Sequence, residues 1–240
     1  PLVDVVSRAL PQLPSHALVS VNVEGVKGNP KAHVSEFLYT AGNLSPVKRK
    51  QRVYGLTART LEQDVALHYL LTPPEELPIV SLGGSAGTGK TLLSVAAGLQ
   101  ELKAGHYQKM VVFRSLHEMG TGQELGFLPG DVNEKMAAWA GAVYDALDVL
   151  ASVGKPKGQI NTAESKRLRE LVEVSPITFL RGRSLSNSYI ILEEAQNFSR
   201  NEILNILSRA GEGTKMVLTG DPDQVDSKYL QSGDKADVWS

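Results

Sequence analysis

The sequence predicts an α/β fold, a mostly parallel sheet covered by helices, with a small β-rich appendage at the N-terminus. Three observations carry that prediction. Apolar runs recur at Ile79–Leu82, Met110–Phe113, Ile177–Leu180, Tyr189–Leu192 and Lys215–Thr219, each closing on a polar or glycine-rich signal. Stretches with helical spacing separate them. The runs are apolar at successive rather than alternate positions, as strands buried on both faces must be. In such sheets the ligand lies along the rim formed by the carboxyl ends of the strands.

Composition sets the outer bounds. The chain has 240 residues, of which 42% are hydrophobic, enough for one sizeable core plus an appendage. Its formal net charge of -1 gives no overall basic field for nucleic acid, although local basic patches remain compatible with it. There are no cysteines, which removes disulfides, zinc–thiolate sites and thiol nucleophiles. No apolar run approaches the ~18 residues of a membrane span and no signal peptide opens the sequence. The expectation is a soluble, cytoplasmic protein without membrane contact. Pro1 at the start and Trp239-Ser240 at the end give the expectation of a fragment of something longer.

Residues 1–52 form the appendage and linker. They carry prolines, glycines and β-rich runs at Ala17–Val23 and Phe37–Thr40, with no amphipathic helical spacing. The cluster Lys48-Arg49-Lys50-Gln51-Arg52 fits both a phosphate-backbone contact and a solvated linker. Residues 53–240 form the main domain. Its first helix is expected over Thr60–Leu71, with Leu61, Val65, Leu67 and Leu70 among polar residues and Pro73-Pro74 as the stop. Here Gln63 has two readings. Thr60-x-x-Gln63 is a capping box, and a glutamine just ahead of a phosphate loop also matches the N6/N7 edge of adenine.

The stretch after Ile79–Leu82 decides the chemistry. Gly84, Gly89, Lys90 and Thr91 satisfy the phosphate-loop pattern G-x-x-x-x-G-K-[ST], between an apolar strand and a proline-free helix opening at Thr91. Glycines let backbone N–H groups turn toward a phosphate, Lys90 reaches the β and γ phosphates, and the Thr91 hydroxyl ligates Mg²⁺. The loop from Gly84 through Ser85, Ala86, Gly87, Thr88 and Gly89 to Lys90, Thr91 and Leu92 is therefore the expected cofactor-binding segment for ATP.

Between the second and third runs lies a long excursion. Residues 117–130 are glycine-rich, and Asp131-x-x-Glu134 caps an expected helix carrying Met136, Trp139, Val143, Leu147 and Leu150 on one face. A Gly154-to-Gly158 connector leads to a basic helix with Lys166, Arg167 and Arg169, which suits either single-stranded nucleic acid or solvent. Tyr189–Leu192 ends in Glu193 and Glu194. Paired acids there suit a metal-site carboxylate, assigned to Glu193, and a water-activating carboxylate, assigned to Glu194. Asp221 and Gln224 stand where a γ-phosphate sensor belongs, although Gly220-Asp221-Pro222-Asp223 also builds a β-turn. Arg181, Arg183 and Arg209 are candidates to stabilise charge on the transferring phosphoryl group.

Taken in order, Gly84 to Thr91, Leu125-Gly126-Phe127-Leu128-Pro129-Gly130 with Glu134-Lys135, Arg181-Gly182-Arg183-Ser184-Leu185, Ile191 to Asn197 and Thr219-Gly220-Asp221-x-x-Gln224 resemble the PhoH family of P-loop ATPases. The resemblance covers about residues 56–226, and the Glu62-Gln63 approach is most similar to the branch with a PIN ribonuclease domain upstream. It implies a RecA-like core related to superfamily-one helicases, an ATPase cycle with ATP and Mg²⁺, and ring-shaped homo-oligomers with a hexamer as the candidate size. It implies single-stranded RNA as the polymer, remodelled in a helicase-like cycle or by control of an attached nuclease. It implies further that Gln63 meets the adenine and that the strand ending at Asp221 lies between the phosphate-loop strand and the Glu193 strand. The family's acidic motif usually opens on Asp, where this chain has Glu193, and its arginine at Arg114 is usually followed by Pro, where this chain has Ser115. Two rival functions share the phosphate loop: a small-molecule kinase, which needs a hydroxyl-substrate pocket, and an assembly module that binds ATP and rarely turns over.

Overall fold

The structure, a computed structural model, describes residues 16–23, 33–40, 43–115, 140–156, 159–180 and 184–224. The chain divides into two units, Pro1–Lys50 and Gln51–Ser240. In the first, β1 (Ala17–Val23), β2 (His33–Thr40) and β3 (Asn43–Pro46) form an antiparallel sheet in the order β1-β2-β3. Within this unit Arg49, from the basic cluster, pairs with Glu36 at 2.9 Å.

The second unit opens with a short ribbon, β4 (Arg52–Val53) and β5 (Leu56–Thr57), and α1 (Leu61–Leu71). The phosphate-loop strand β6 (Ile79–Gly83), helix α2 (Lys90–Lys103) and strand β7 (Lys109–Arg114) follow. Helices α3 (Gly141–Ala151) and α4 (Thr162–Leu171) lead to β8 (Val172–Pro176). The chain then runs through β9 (Ser188–Glu193), α5 (Arg200–Leu207) and β10 (Lys215–Gly220). The five long strands are parallel throughout, in the order β6-β10-β9-β7-β8. The strand leading to Asp221 thus lies between the phosphate-loop strand and the Glu193 strand.

Successive residues of each central strand feed opposite cores, because side chains alternate across a sheet. Met110, Val112, Tyr189, Ile191 and Val217 pack with α1, α2, α3 and α4. Val111, Phe113, Ile190, Leu192, Met216 and Leu218 pack with α5 and the 3-10 turn Ile177–Leu180. This is why the runs read as continuously apolar. One glycine sets the helix-to-sheet spacing: a Cβ at Gly98 in α2 would sit 2.8 Å from Tyr189 Cδ1 and 2.9 Å from Met110 Sδ.

One expectation shifts. The strand expected at Ile177–Leu180 is a 3-10 turn, and the strand is the preceding segment Val172–Pro176. Helix α4 passes into β8 without a loop, Val172 being at once the helix C-cap and the first strand residue, so no turn signal marks the boundary. Pro176 closes β8, which tolerates a proline because it is the edge strand. Helix α3 is described from Gly141 with its buried face at Val143, Leu147 and Leu150, while the Asp131–Glu134 cap, Met136 and Trp139 lie outside the described residues.

The largest buried cation is Lys215, fully enclosed at the start of β10. Its Nζ donates to the carbonyls of Tyr69 (2.8 Å), Thr72 (2.7 Å) and Leu77 (2.7 Å), so the ammonium fastens the end of α1 to the entry of β6. Burial pushes its pKa down to about 8, against the opposing pull of Glu101 and Glu76. The unfolded chain keeps that proton up to about pH 10. Between these limits the unfolded state binds more protons, so stability rises with pH. Buried Tyr107 and Tyr189, whose pKa values burial raises, act in the opposite direction near and above pH 10 and cancel between variants. Urea unfolding at pH 7 to 9.5 is expected to show a more positive pH slope for the native sequence than for Lys215→Met. Equal slopes would remove Lys215 as the cause.

Candidate active site

The carboxyl ends of β6, β10, β9 and β7 converge on one rim. After β6 the backbone turns through Gly87 and Gly89, at φ 78° and 92°, left-handed values that glycine adopts without strain. Gly89 is the N-cap of α2, and no side chain caps that helix. Its first N–H groups and its dipole therefore face the loop, the arrangement that receives phosphate. Lys90 Nζ lies over the loop, donating to the carbonyls of Gly84 (2.5 Å) and Ser85 (2.9 Å). Thr88 Oγ1 donates to Ser85 O at 2.9 Å.

Gln63 joins α1 to this loop. Its Nε2 donates to Thr88 O at 3.2 Å and its Oε1 accepts from Arg59 N at 2.9 Å. The capping box forms by half: Thr60 Oγ1 accepts from Gln63 N at 3.3 Å, but the Gln63 amide serves Arg59 rather than Thr60. Both ends of the Gln63 amide are thus bonded to backbone groups beside the loop.

Glu193, 1% exposed at the end of β9, is held between two partners. Thr91 Oγ1 donates to its Oε1 at 2.9 Å, and Arg114 Nε, at the end of neighbouring β7, stands 3.1 Å from its Oε2. Burial pushes the Glu193 carboxyl up, while the Arg114 guanidinium and the Thr91 hydroxyl draw it down and Glu194 adds to the rise, leaving it above the usual carboxylate range. Oε2 accepts no hydrogen bond among the described residues. An all-oxygen pair of Thr91 hydroxyl and a buried carboxylate with unused acceptor capacity fits a hard divalent cation such as Mg²⁺.

Glu194 follows in a left-handed conformation, φ 54° and ψ 52°, uncommon for a residue with a Cβ. That kink ends the strand and opens a 3-10 turn, Ala195–Asn197. Across the rim Asp221 Oδ1 accepts from Asp223 N at 3.1 Å, and Gln224 N donates to Asp221 O at 3.0 Å. The β-turn is thus built one residue later than expected, over 221–224, and Gln224 is exposed at its end. A cavity of about 350 Å³ joins the phosphate loop, Glu193, Glu194, Thr219 and Gly220. Its far wall is α3, through Ala142, Asp145, Ala146 and Val149.

A family model described as PhoH-like protein matches residues 55–237. The chain belongs to the PhoH family. It is 44% identical over 197 residues to Protein PhoH2 of Mycolicibacterium smegmatis, covering 82% of this chain and 43% of that protein. To Protein PhoH2 of Bacillus subtilis it is 40% identical over 183 residues, covering 76% and 40%. To a PhoH-like protein of Bacillus subtilis it is 41% identical over 152 residues, covering 62% and 44%. The chain spans about two fifths of the length of these curated relatives. A solved Sulfolobus solfataricus SWI2/SNF2 ATPase core in complex with dsDNA overlaps 79% of this chain and 36% of that one, at 13% identity and a TM-score of 0.41.

The PhoH rim gathers Lys90, Thr91, Glu193, Glu194 and Asp221 beside the ends of β6, β9 and β10, with Gln63 reaching in from α1 and Arg114 from the end of β7. Arg181 and Arg183 lie outside the described residues. Arg209 is at the opposite end of the sheet: its carbonyl accepts from Leu185 N at 3.1 Å, ahead of β9. The length of β9 separates it from Glu193 by about 20 Å at ~3.3 Å per residue, so it does not serve this site within its own subunit. In α4 the two arginines are engaged locally. Arg167 pairs with Glu164 at 3.2 Å, and Arg169 pairs with Asp148 at 3.0 Å and lies 4.5 Å over the Tyr144 ring. Burial alone would raise the Asp148 carboxyl, but the Ser165 hydroxyl and Arg169 hold it below its usual value.

Sequence reasoning did not assign three residues that the geometry brings in. Arg114 pairs with Glu193. Asp145 enters through a helical stripe, Ala142, Asp145, Ala146 and Val149, legible as i, i+3, i+4, i+7 but not as facing the phosphate-loop cavity. Gln196, 5% exposed, lies in the 3-10 turn. No helix among the described residues is long and apolar enough to cross a membrane.

Proposed function

We propose that this PhoH domain binds ATP with Mg²⁺ and hydrolyses its γ-phosphate bond, and that single-stranded RNA stimulates the cycle. One observation carries the hydrolase reading: Thr91 and Glu193 are hydrogen-bonded at 2.9 Å, linking the phosphate loop to the acid strand, with Glu194 as the next residue. The loop amides and Lys90 bind and orient the phosphates. Thr91 and Glu193 would hold Mg²⁺, which when bound neutralises charge between the β and γ phosphates. Glu194 accepts the proton of the attacking water. Gln224 is the proposed γ-phosphate contact, and Gln63 the proposed adenine contact once its bond to Thr88 is exchanged.

The described residues of this unit form one five-stranded parallel core. We therefore read the domain as a subunit of a ring-shaped homo-oligomer, with a charge-stabilising arginine, Arg181 or Arg183, acting in the same subunit or across the interface. RNA and an attached PIN nuclease belong to the same proposal, as what the resemblance at Glu62-Gln63 implies. The deciding measurement is phosphate release from ATP with and without single-stranded RNA. A severalfold rise in rate with RNA is the expected result. Release indifferent to RNA turns the reading toward the assembly module, and a phosphorylated acceptor in place of free phosphate turns it toward a kinase.

A further inference from the structure

The amide of Gln196 joins the two halves of the rim. Its Nε2 donates to Glu194 Oε2 at 2.6 Å, and its Oε1 accepts from Asp221 N at 3.1 Å. The side chain is almost wholly enclosed. Its backbone is fixed as well: Asn197 N donates to Glu194 O at 2.9 Å, and Phe198, at 0% exposure, anchors the turn in the core. A buried amide carries both a donor and an acceptor and is costly to leave unsatisfied. Here each has one partner, and the two partners directly follow different strands, β9 and β10.

The two partners also differ in role. Glu194 is the carboxylate assigned to the water. Asp221 begins the turn that holds Gln224, since Asp221 O accepts from Gln224 N at 3.0 Å. Glu194 sits on a kinked backbone that sends its side chain off the strand, and Gln196 donates the short bond that fixes one carboxylate oxygen. The other oxygen keeps its capacity to accept a proton. A shift of the 221–224 turn moves the Asp221 N–H, moves the amide with it, and redirects the carboxylate. We infer that Gln196 is a positioning residue that aims Glu194 and transmits to it the state of the 221–224 turn. The inference rests on the hydrolase reading given above.

Two substitutions separate the bonds. Gln196→Leu removes both. Gln196→Glu keeps the shape and the acceptor toward Asp221 N but replaces the donor toward Glu194 by a like charge. Both are expected to lower kcat by about 100-fold, the scale of a ~1 Å misplacement of a catalytic group. KM and the affinity for fluorescent mant-ADP should stay within about twofold, because neither contact touches the phosphate loop. The pair Glu194→Gln with Gln196→Leu is expected to be no slower than Glu194→Gln alone, since a residue that works through Glu194 has nothing left to aim. A purely structural role predicts losses that multiply, with nucleotide affinity falling alongside kcat. Either that pattern or a Gln196→Glu protein with normal kcat overturns the inference while the hydrolase reading stands. A native protein that binds mant-ADP but releases no phosphate overturns both.

Discussion

Lys90→Ala is expected to lower kcat/KM for ATP hydrolysis by about 1,000-fold, roughly 4 kcal/mol of lost transition-state stabilisation. The ammonium is the cation of the phosphate loop. Hydrogen bonds to charged groups contribute about 1.5–3 kcal/mol each, and Lys90 is placed to make more than one with the β and γ oxygens. Its present partners are loop carbonyls at the rim, Gly84 and Ser85. Those carbonyls can turn to water when Lys90 is truncated, so the unliganded fold should keep its Tm within a few degrees. The measurement is phosphate release together with mant-ADP binding and a thermal scan without nucleotide. A variant that stays folded and hydrolyses ATP like the native protein would remove this loop as the site.

Glu194→Gln separates binding from chemistry. The substitution is nearly isosteric, and the new amide retains an oxygen to accept from Gln196 Nε2, now 2.6 Å from the Glu194 carboxylate. What disappears is the base, and general-base catalysis contributes about 10²–10⁴-fold. Single-turnover release should therefore slow by at least about 100-fold, while ATP affinity stays level. Mg²⁺ dependence should also persist, because Glu193 and Thr91 are untouched. A rate that falls only in proportion to affinity would mean that Glu194 serves binding. Ring assembly driven by ATP and unaffected by this substitution would favour the assembly module.

The parallel sheet was legible because both of its faces are covered, so apolar continuity marked four of its five strands directly. The fifth, β8, was displaced because Glu170-Leu171-Val172-Glu173 suits a helix and a strand equally, and only packing beside β7 fixes the change. The phosphate loop and the acid pair were legible because their spacing is dictated by chemistry at one end of one element. Contacts across elements were not. Nothing in the sequence says that Gln63 reaches Thr88, that Arg114 meets Glu193, or that Gln196 touches both Glu194 and Asp221, since each pairing depends on which strand ends are neighbours. Lys215 was hidden for the converse reason: a lysine opening a strand reads as solvated, and its three carbonyl partners come from residues more than a hundred positions away.

The lysine bolt at Lys215 has a mechanical meaning. It grips α1 at its last turn, at the opposite end of the sheet from the phosphate loop, whereas Gln63 engages that loop from the first turn of the helix. Nine residues separate Gln63 from Thr72, about 14 Å at 1.5 Å per residue. A rod pinned at one end and tied near the other by Gln63 and by Asp64, which accepts from Gln51 N and Nε2, is a lever with a fixed fulcrum and two tethers. A tilt of about 4° swings the free end by roughly 1 Å over that length, enough to make or break the Gln63 bond to Thr88. The tip can therefore follow the loop as it fills and empties while the fulcrum, and the sheet behind it, stay still.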